Sequence, residues 1–199
     1  MSNPRNIFAK ISVAAAIVLA IGTAALAKRH SDPAFSNIHI RNFGKMDDRF
    51  YRGAQPDESD YKDLKALGVK TVIDLQDHPS SYEKRDVEAL GMRYVNLPMS
   101  DSSYPKQDSV DAFLKLVNDP ATGTMYVHCA GGRHRTGVMG AVYRFNVNHW
   151  NLDQAYSEMK DYDFYTRFGH GDLKTFVEDY SQKMPKASAA AVSPASQKN

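Results

Sequence analysis

The chain has 199 residues, 42% hydrophobic and 24% charged, so one globular domain with short extensions is the prior. Two of its 25 Lys and Arg fall in the first 27 residues and all 23 Asp and Glu fall after them, so residues 28–199 carry 23 charges of each sign. That balance excludes a generic nucleic-acid binder, which needs a net basic face, and a single cysteine excludes an internal disulfide.

In chain order, Arg5 and Lys10 precede an uncharged apolar run, Ile11 to Ala24. Ala25-Leu26-Ala27 then fits a small-x-small cleavage site. The run is short of the ~20 residues of a full span. Residues 1–27 therefore read as a cleaved secretory signal peptide, which leaves a mature form without a membrane span. The alternative is a retained anchor through residues 11–27. Lys28 and Arg29, directly after the run, count against efficient export, and no cysteine lies near for a lipid anchor. Export to the periplasm or outside would expose a free thiol to oxidation. A thiol kept there suggests use.

The folded domain is expected over residues 28–184. "NIHIRNF" (37–43) alternates as a first strand, and "RFYRG" (49–53) is a second, ending in the "AQPD" turn. A helix begins at Pro56-Asp57, places Tyr61, Leu64 and Leu67 on one face, and stops at Gly68. "VKTVIDL" (69–75) is β-branched and apolar, as a buried central strand should be. A helix over 82–90, a strand over 92–97 and a loop "PMSDSSYPKQ" follow. Val110, Phe113, Leu114 and Val117 recur at helical spacing. "TMYVH" (124–128) is a short strand, after which Val138, Val142 and Phe145 mark a helix from near Thr136. Leu152, Ala155 and Met159 mark another, with Asn151 as its cap. Leu173, Phe176, Val177 and Tyr180 mark the last. The Ala/Ser-rich end, 185–199, reads as a disordered tail. Strands alternating with helices predict an α/β domain with a central mixed or parallel sheet. A monomer is the expectation.

Between the strand at 124–128 and the next helix stands "VHCAGGRHRTG" (127–137), with the only cysteine, Cys129. This junction is the ligand-binding edge of such sheets. A helix N-terminus carries partial positive charge and unpaired N–H groups. Gly131, Gly132 and Gly137 let the loop curl so that those groups converge on an anion. The same field favours thiolate over thiol, which can bring a cysteine from ~8.5 to roughly 3.5–7.5. Arg135, six positions after Cys129, has the planar fork that holds two phosphoryl oxygens at once. A lone cysteine is ordinarily a packing residue, but a packing residue needs none of this context.

With Cys-x5-Arg-Thr in hand, the sequence resembles the cysteine-dependent protein tyrosine phosphatase superfamily, and within it the small dual-specificity group. "FYRGAQPDESDYKDLKALGVKTVIDL" (50–75) is similar to the opening segment of atypical members from bacteria, plants and fungi, and "LPMSDSSYP" (97–105) looks like their acid loop. The resemblance implies that Cys129 forms a phosphocysteine intermediate and that Arg135 clamps the phosphoryl group. It implies further that Thr136 stabilises the departing thiolate and that His128 orients the loop. Backbone N–H groups of Ala130, Gly131, Gly132, Arg133, His134 and Arg135 would bind the equatorial oxygens. Asp101 matches the general acid, with Asp108 in the same loop and Asp77 at another strand end as competitors. Neither a metal nor a cofactor is implied.

Arg133 and His134 are either a solvated rim or an extension of the cradle towards multiply charged substrates, the reading preferred here. Arg52 is expected to pair structurally with a carboxylate, and "YDFYTRF" (162–168) to pack under the last helix. No partner at metal-ligand spacing is visible for His128 or His134. A Walker loop is excluded because Val138 stands where the lysine must be. The expected substrate is a phosphoprotein carrying phosphotyrosine, phosphoserine or phosphothreonine. "GRHRTG" is similar to the "GKHRTG" of plant and fungal relatives, which keeps inositol (pyro)phosphates open as the alternative. A rhodanese-like sulfurtransferase and a silent phospho-ligand binder are the remaining readings.

Overall fold

The computed structural model describes residues 35–184, and the body considered below runs from Ile40. The expected leader (1–27) and tail (185–199) lie outside the described residues. Five strands form one mixed sheet: β1 (Gly44–Lys45), β2 (Phe50–Ala54), β3 (Thr71–Gln76), β4 (Arg93–Met99) and β5 (Met125–Cys129). Their spatial order is β1-β2-β5-β3-β4, with β1 antiparallel to β2 and every other pair parallel. The helices are α1 (Asp60–Ala66), α2 (Glu83–Ala89), α3 (Gln107–Asn118), α4 (His134–Val147), α5 (Leu152–Asp161) and α6 (Gly171–Lys183). A 3-10 turn, Pro120–Thr122, separates α3 from β5.

β5 lies at the centre, and both of its faces are covered. Strand alternation sends Met125, Val127 and Cys129 to one side and Tyr126 and His128 to the other. The first set joins Phe50, Ile73 and Leu75 in a core with Phe113 of α3, Val138 and Val142 of α4, Met159 of α5 and Phe176 of α6. The second set faces the α1–α2 side, where Glu83 of α2 comes 2.7 Å from His128 Nε2. β2, β3 and β5 are buried along their whole lengths, mostly by apolar side chains, so their polar members Arg52, Asp74 and His128 are buried with them. Eleven of the 14 residues of α4 are buried. It is a central helix packed by α3, α5 and α6, with many more buried positions than Val138, Val142 and Phe145 alone.

Most predicted elements stand within a few residues of their expected places. α5 opens with the Asn151–Gln154 capping box. One element fails: residues 37–43 form no strand. Asn42 takes a left-handed φ of 52° and turns the chain, so the first ladder pairs only Gly44 with Arg52 and Lys45 with Tyr51. The helix expected from Pro56 begins at Asp60, because Asp57 to Asp60 first close a turn on themselves. The helix expected from Thr136 begins two residues earlier, which brings His134 and Arg135 into its first turn.

Candidate active site

Residues 130–133 carry the chain from the end of β5 to the start of α4. Three successive carbonyls of this loop are held from outside. Gln55 N–H donates to Ala130 O at 3.4 Å, Asn42 Nδ2 to Gly131 O at 2.9 Å, and Arg52 Nη2 to Gly132 O at 2.9 Å. In a trans peptide the N–H points opposite to the C=O. Fixing these carbonyls outward therefore turns the N–H groups of Gly131, Gly132 and Arg133 inward, which is the anion cradle. Arg52 is fully buried, with its guanidinium 3.9 Å from the centre of the Tyr162 ring. Its role is structural, as expected, but its partners are a carbonyl and a ring, not the carboxylate anticipated.

Of the three glycines credited with the loop's freedom, only Gly132 has a positive φ, 66°. A Cβ there would lie 2.4 Å from Gly53 C and 2.6 Å from Ala54 N, both backbone atoms of β2. Gly132→Ala is therefore expected to destabilise the fold by about 2–4 kcal/mol, combining a strained φ with overlap that only backbone movement relieves. Urea denaturation measures it. A loss below about 0.5 kcal/mol would show that the loop does not need this close approach.

Cys129 is 4% exposed at the strand end. Burial pushes its thiol up. The Thr136 hydroxyl and N–H, the Arg135 charge and the Gly131 N–H together outweigh burial and bring it below its ordinary value. His128, one residue back, points to the opposite face and is fully buried with Asp74 and Glu83. Burial alone would lower His128; the Glu83 contact, then the charges of Glu83 and Asp74, raise it. Asp74 accepts from Gln76 N–H at 2.8 Å and from Tyr94 OH at 3.1 Å.

Ligating atoms of Asp74, Glu83 and His128 come within 4.8 Å of one another, a cluster that sequence spacing did not reveal. Two ligands of a tetrahedral zinc at ~2.0–2.1 Å stand roughly 3.4 Å apart. The 2.7 Å between His128 Nε2 and Glu83 Oε1 is instead an ion-pair separation. The cluster is a buried charge network beneath the cysteine.

Arg135 is 6% exposed and ties together two strand ends. Its Nη1 donates to Asp77 Oδ1 at 2.9 Å, just beyond β3, and to Met99 O at 3.2 Å, the last residue of β4. Among the described residues no hydrogen bond uses Nε or Nη2, so one edge of the fork is left for a ligand. Asp77, weighed above as an acid, is thus the partner of the Arg135 guanidinium.

A cavity of about 220 Å³ opens at this edge, lined by Asp101, Cys129, Ala130, Gly131, Arg133, His134, Arg135, Tyr165 and His170. It brings Asp101 together with Cys129 and Arg135. Asp108 sits exposed in the first turn of α3, outside the wall. Thr136 and Gly132 are buried behind the wall. The aromatic run 162–168 is divided: Phe164 is buried in the core and Tyr162 underlies Arg52, but Tyr165 forms cavity wall. Tyr165 and His170 were missed because nothing in their spacing marks them.

His134 does not extend a cationic rim. Burial, His170 and Arg133 hold it down at about 4, so at neutral pH it is uncharged and adds no cation to the cradle. Its ring stacks on His170 at 3.6 Å and meets Tyr165 edge-on at 4.4 Å. Arg133 Nε lies 3.8 Å from Asp163 Oδ2.

The family model described as "DSP-PTPase phosphatase fused to NAD+ Kinase" matches residues 35–177. The chain belongs to the dual-specificity family of cysteine-dependent phosphatases. This phosphatase is 30% identical over 144 residues to the probable tyrosine-protein phosphatase DG1060 of Dictyostelium discoideum, over 70% of its own length and 82% of the relative's. It is 31% identical over 135 residues to the dual specificity protein phosphatase TpbA of Pseudomonas aeruginosa, covering 66% of its own length and 56% of TpbA. To the inositol diphosphatase DSP1 of rice it is 28% identical over 122 residues, 59% of its own length and 54% of the relative's. It spans little more than half of those last two proteins. Among solved structures, TpbA superposes with a TM-score of 0.61 at 24% identity, over 76% of this chain and 88% of TpbA. The Siw14 catalytic core does so with 0.61 at 21%, over 71% and 86%. Both share the fold.

Proposed function

We propose that this phosphatase hydrolyses phosphomonoesters on proteins, phosphotyrosine foremost, through a phosphocysteine formed on Cys129 and without a metal. The observation that carries this reading is that Cys129, Arg135 and Asp101 line one cavity at the C-terminal end of β5. The Cys129 thiolate attacks phosphorus while the inward amides and Arg135 hold the equatorial oxygens. The P–O bond to the leaving group breaks, and Asp101 gives that oxygen its proton. Asp101, now a carboxylate, takes a proton from water as the water attacks phosphorus. The P–S bond breaks, inorganic phosphate is released, and the Thr136 hydroxyl steadies the restored thiolate.

The choice of substrate follows from charge and size. The fixed cations of the cavity are two guanidiniums, Arg133 and Arg135, each beside an aspartate, and His134 is neutral. A polyphosphorylated inositol brings several dianionic groups, for which these cations are too few. One phosphoryl group followed by a ring suits about 220 Å³, small against the roughly 300–1,000 Å³ of larger ligand sites. Tyr165, His134 and His170 offer ring faces and edges to an aromatic leaving group. TpbA has been solved in complex with pTyr. Rice DSP1 and Arabidopsis DSP5 are named inositol diphosphatases, which supports the alternative only weakly.

A screen of phosphotyrosyl, phosphoseryl and phosphothreonyl peptides, inositol phosphates and phospholipid head groups tests the reading. Phosphotyrosyl peptides are expected to give at least tenfold higher kcat/KM than any inositol pyrophosphate, and the reverse order would overturn the substrate. Thiosulfate turnover without aryl phosphate turnover would return the sulfurtransferase reading. Export through residues 1–27 and action as a monomer remain part of the proposal and rest on sequence alone.

Asp101→Asn isolates the proton donor. It is expected to slow phenyl phosphate by roughly 10²-fold or more and 2,4-dinitrophenyl phosphate far less, because only the poorer leaving group needs the proton. Equal slowing of both would move the role to Asp108 or make Asp101 structural.

A further inference from the structure

The carboxyl of Asp101 rides on an exposed loop, Ser100 to Lys106. Ser100 Oγ closes this loop on itself through the N–H groups of Ser102 and Ser103. Tyr104 OH ties its far side to Asp179 of α6 at 3.0 Å. Neither bond reaches Asp101. Among the described residues the one hydrogen bond made by Asp101 is to its carbonyl, from His170 Nδ1 at 2.7 Å. A carbonyl can only accept, so the imidazole proton sits on Nδ1.

His170 is fixed from the other side as well. Its ring lies 3.6 Å from that of His134, the first residue of α4, with Tyr165 edge-on to both. His170 stands at the N-cap of α6, where Ser, Asp and Asn are preferred, yet it makes no side-chain cap bond. Its ring is used elsewhere. Gly169 before it has a φ of 90°, and a Cβ there would meet Ser102 at 3.8 Å, so backbone as well as ring approaches the loop.

We propose that His170 is a positioning residue for the general acid: it bridges the helix that ends the phosphate cradle and the loop that carries Asp101. The cradle fixes phosphorus, and His134 belongs to the helix that fixes the cradle. Through the stack and the hydrogen bond, His170 sets how far Asp101 stands from the oxygen it must protonate. The inference rests on the reading of Asp101 as proton donor. A misplacement of 1 Å in such a group can cost 10²-fold, and a proton donor as a whole contributes 10²–10⁴-fold.

The test compares His170→Phe, which keeps a ring against His134 but lacks the donor, with His170→Ala, which lacks both. Each is assayed on phenyl phosphate and on 2,4-dinitrophenyl phosphate, alone and combined with Asp101→Asn. In His170→Phe, kcat on phenyl phosphate is expected to fall roughly tenfold further than on 2,4-dinitrophenyl phosphate, and in His170→Ala at least as much. In the Asp101→Asn background that selective loss disappears, because there is no acid left to position. A proportional loss on both substrates, or no loss on phenyl phosphate, overturns the proposal. So does a selective loss that persists without the Asp101 carboxyl. If Asp101→Asn itself shows no dependence on the leaving group, the acid assignment falls, a result distinct from failure of the His170 variants alone.

Discussion

Cys129→Ser is expected to lower kcat on an aryl phosphate by at least about 10⁴-fold while inorganic phosphate and orthovanadate still bind. Removing a covalent nucleophile costs losses of this order or larger elsewhere. The geometry explains why binding should survive. The cradle is held by Asn42, Arg52 and Gln55 from outside, and none of these contacts involves the sulfur. Serine is nearly isosteric, and its hydroxyl meets the same Thr136 and Gly131 groups. A hydroxyl, however, is not ionised by an environment that shifts a thiol. In the parent protein, iodoacetamide alkylation should show a pH midpoint below the ~8.5 of a free cysteine.

The sign of the linked stability follows. A thiol depressed on folding adds stability that is present above the unfolded value and is lost as pH falls through the folded one, and Cys129→Ser removes that dependence. Parent activity should persist in EDTA. Residual activity of the variant within tenfold, a midpoint at or above ~8.5, or a requirement for a divalent ion would each overturn the thiolate mechanism.

The pair proposed as nucleophile and clamp was legible in the sequence because it is local. Cys129 and Arg135 are six residues apart, on one strand–turn–helix junction whose flanks have clear periodicity. The same is true of β3, β5 and α3, where a few neighbours decide the element. What shapes the junction is not local. Arg52 meets the loop from 80 positions away, Asn42 from 89, and His170 meets Asp101 from 69. No spacing rule connects such pairs, because they become neighbours only when β2 pairs with β5 and α6 packs back on α4.

Residues 37–43 show a related failure. Their alternation is that of a strand, but Asn42 is used to reach Gly131, and the φ of 52° it adopts ends any ladder there. A local pattern was overridden by the site's need for a donor. His134 differs in kind. Its formal capacity for charge was visible, but its protonation depends on the ring stacked against it, which only the fold supplies.

Arg135→Lys is the second large effect expected, about 10³-fold in kcat/KM, with phosphate inhibition weakened as well. Arginines that stabilise a transferring phosphoryl group are worth 10³–10⁵-fold. The substitution keeps the charge, so the loss isolates geometry. Nη1 of Arg135 already holds Asp77 and the Met99 carbonyl, which orients the guanidinium plane and leaves its other edge for two oxygens. An ammonium is a single point. It can satisfy Asp77 or the substrate, and Asp77 already pairs with the side chain at this position. The variant should therefore suffer twice, through lost bidentate contact and through diversion to the carboxylate. Adding Asp77→Asn to Arg135→Lys tests the second part: with the competing charge gone, phosphate inhibition should recover several-fold, while kcat stays low for want of the fork. Turnover of Arg135→Lys within tenfold of the parent would show that charge alone suffices, and the clamp would lose its place in the mechanism.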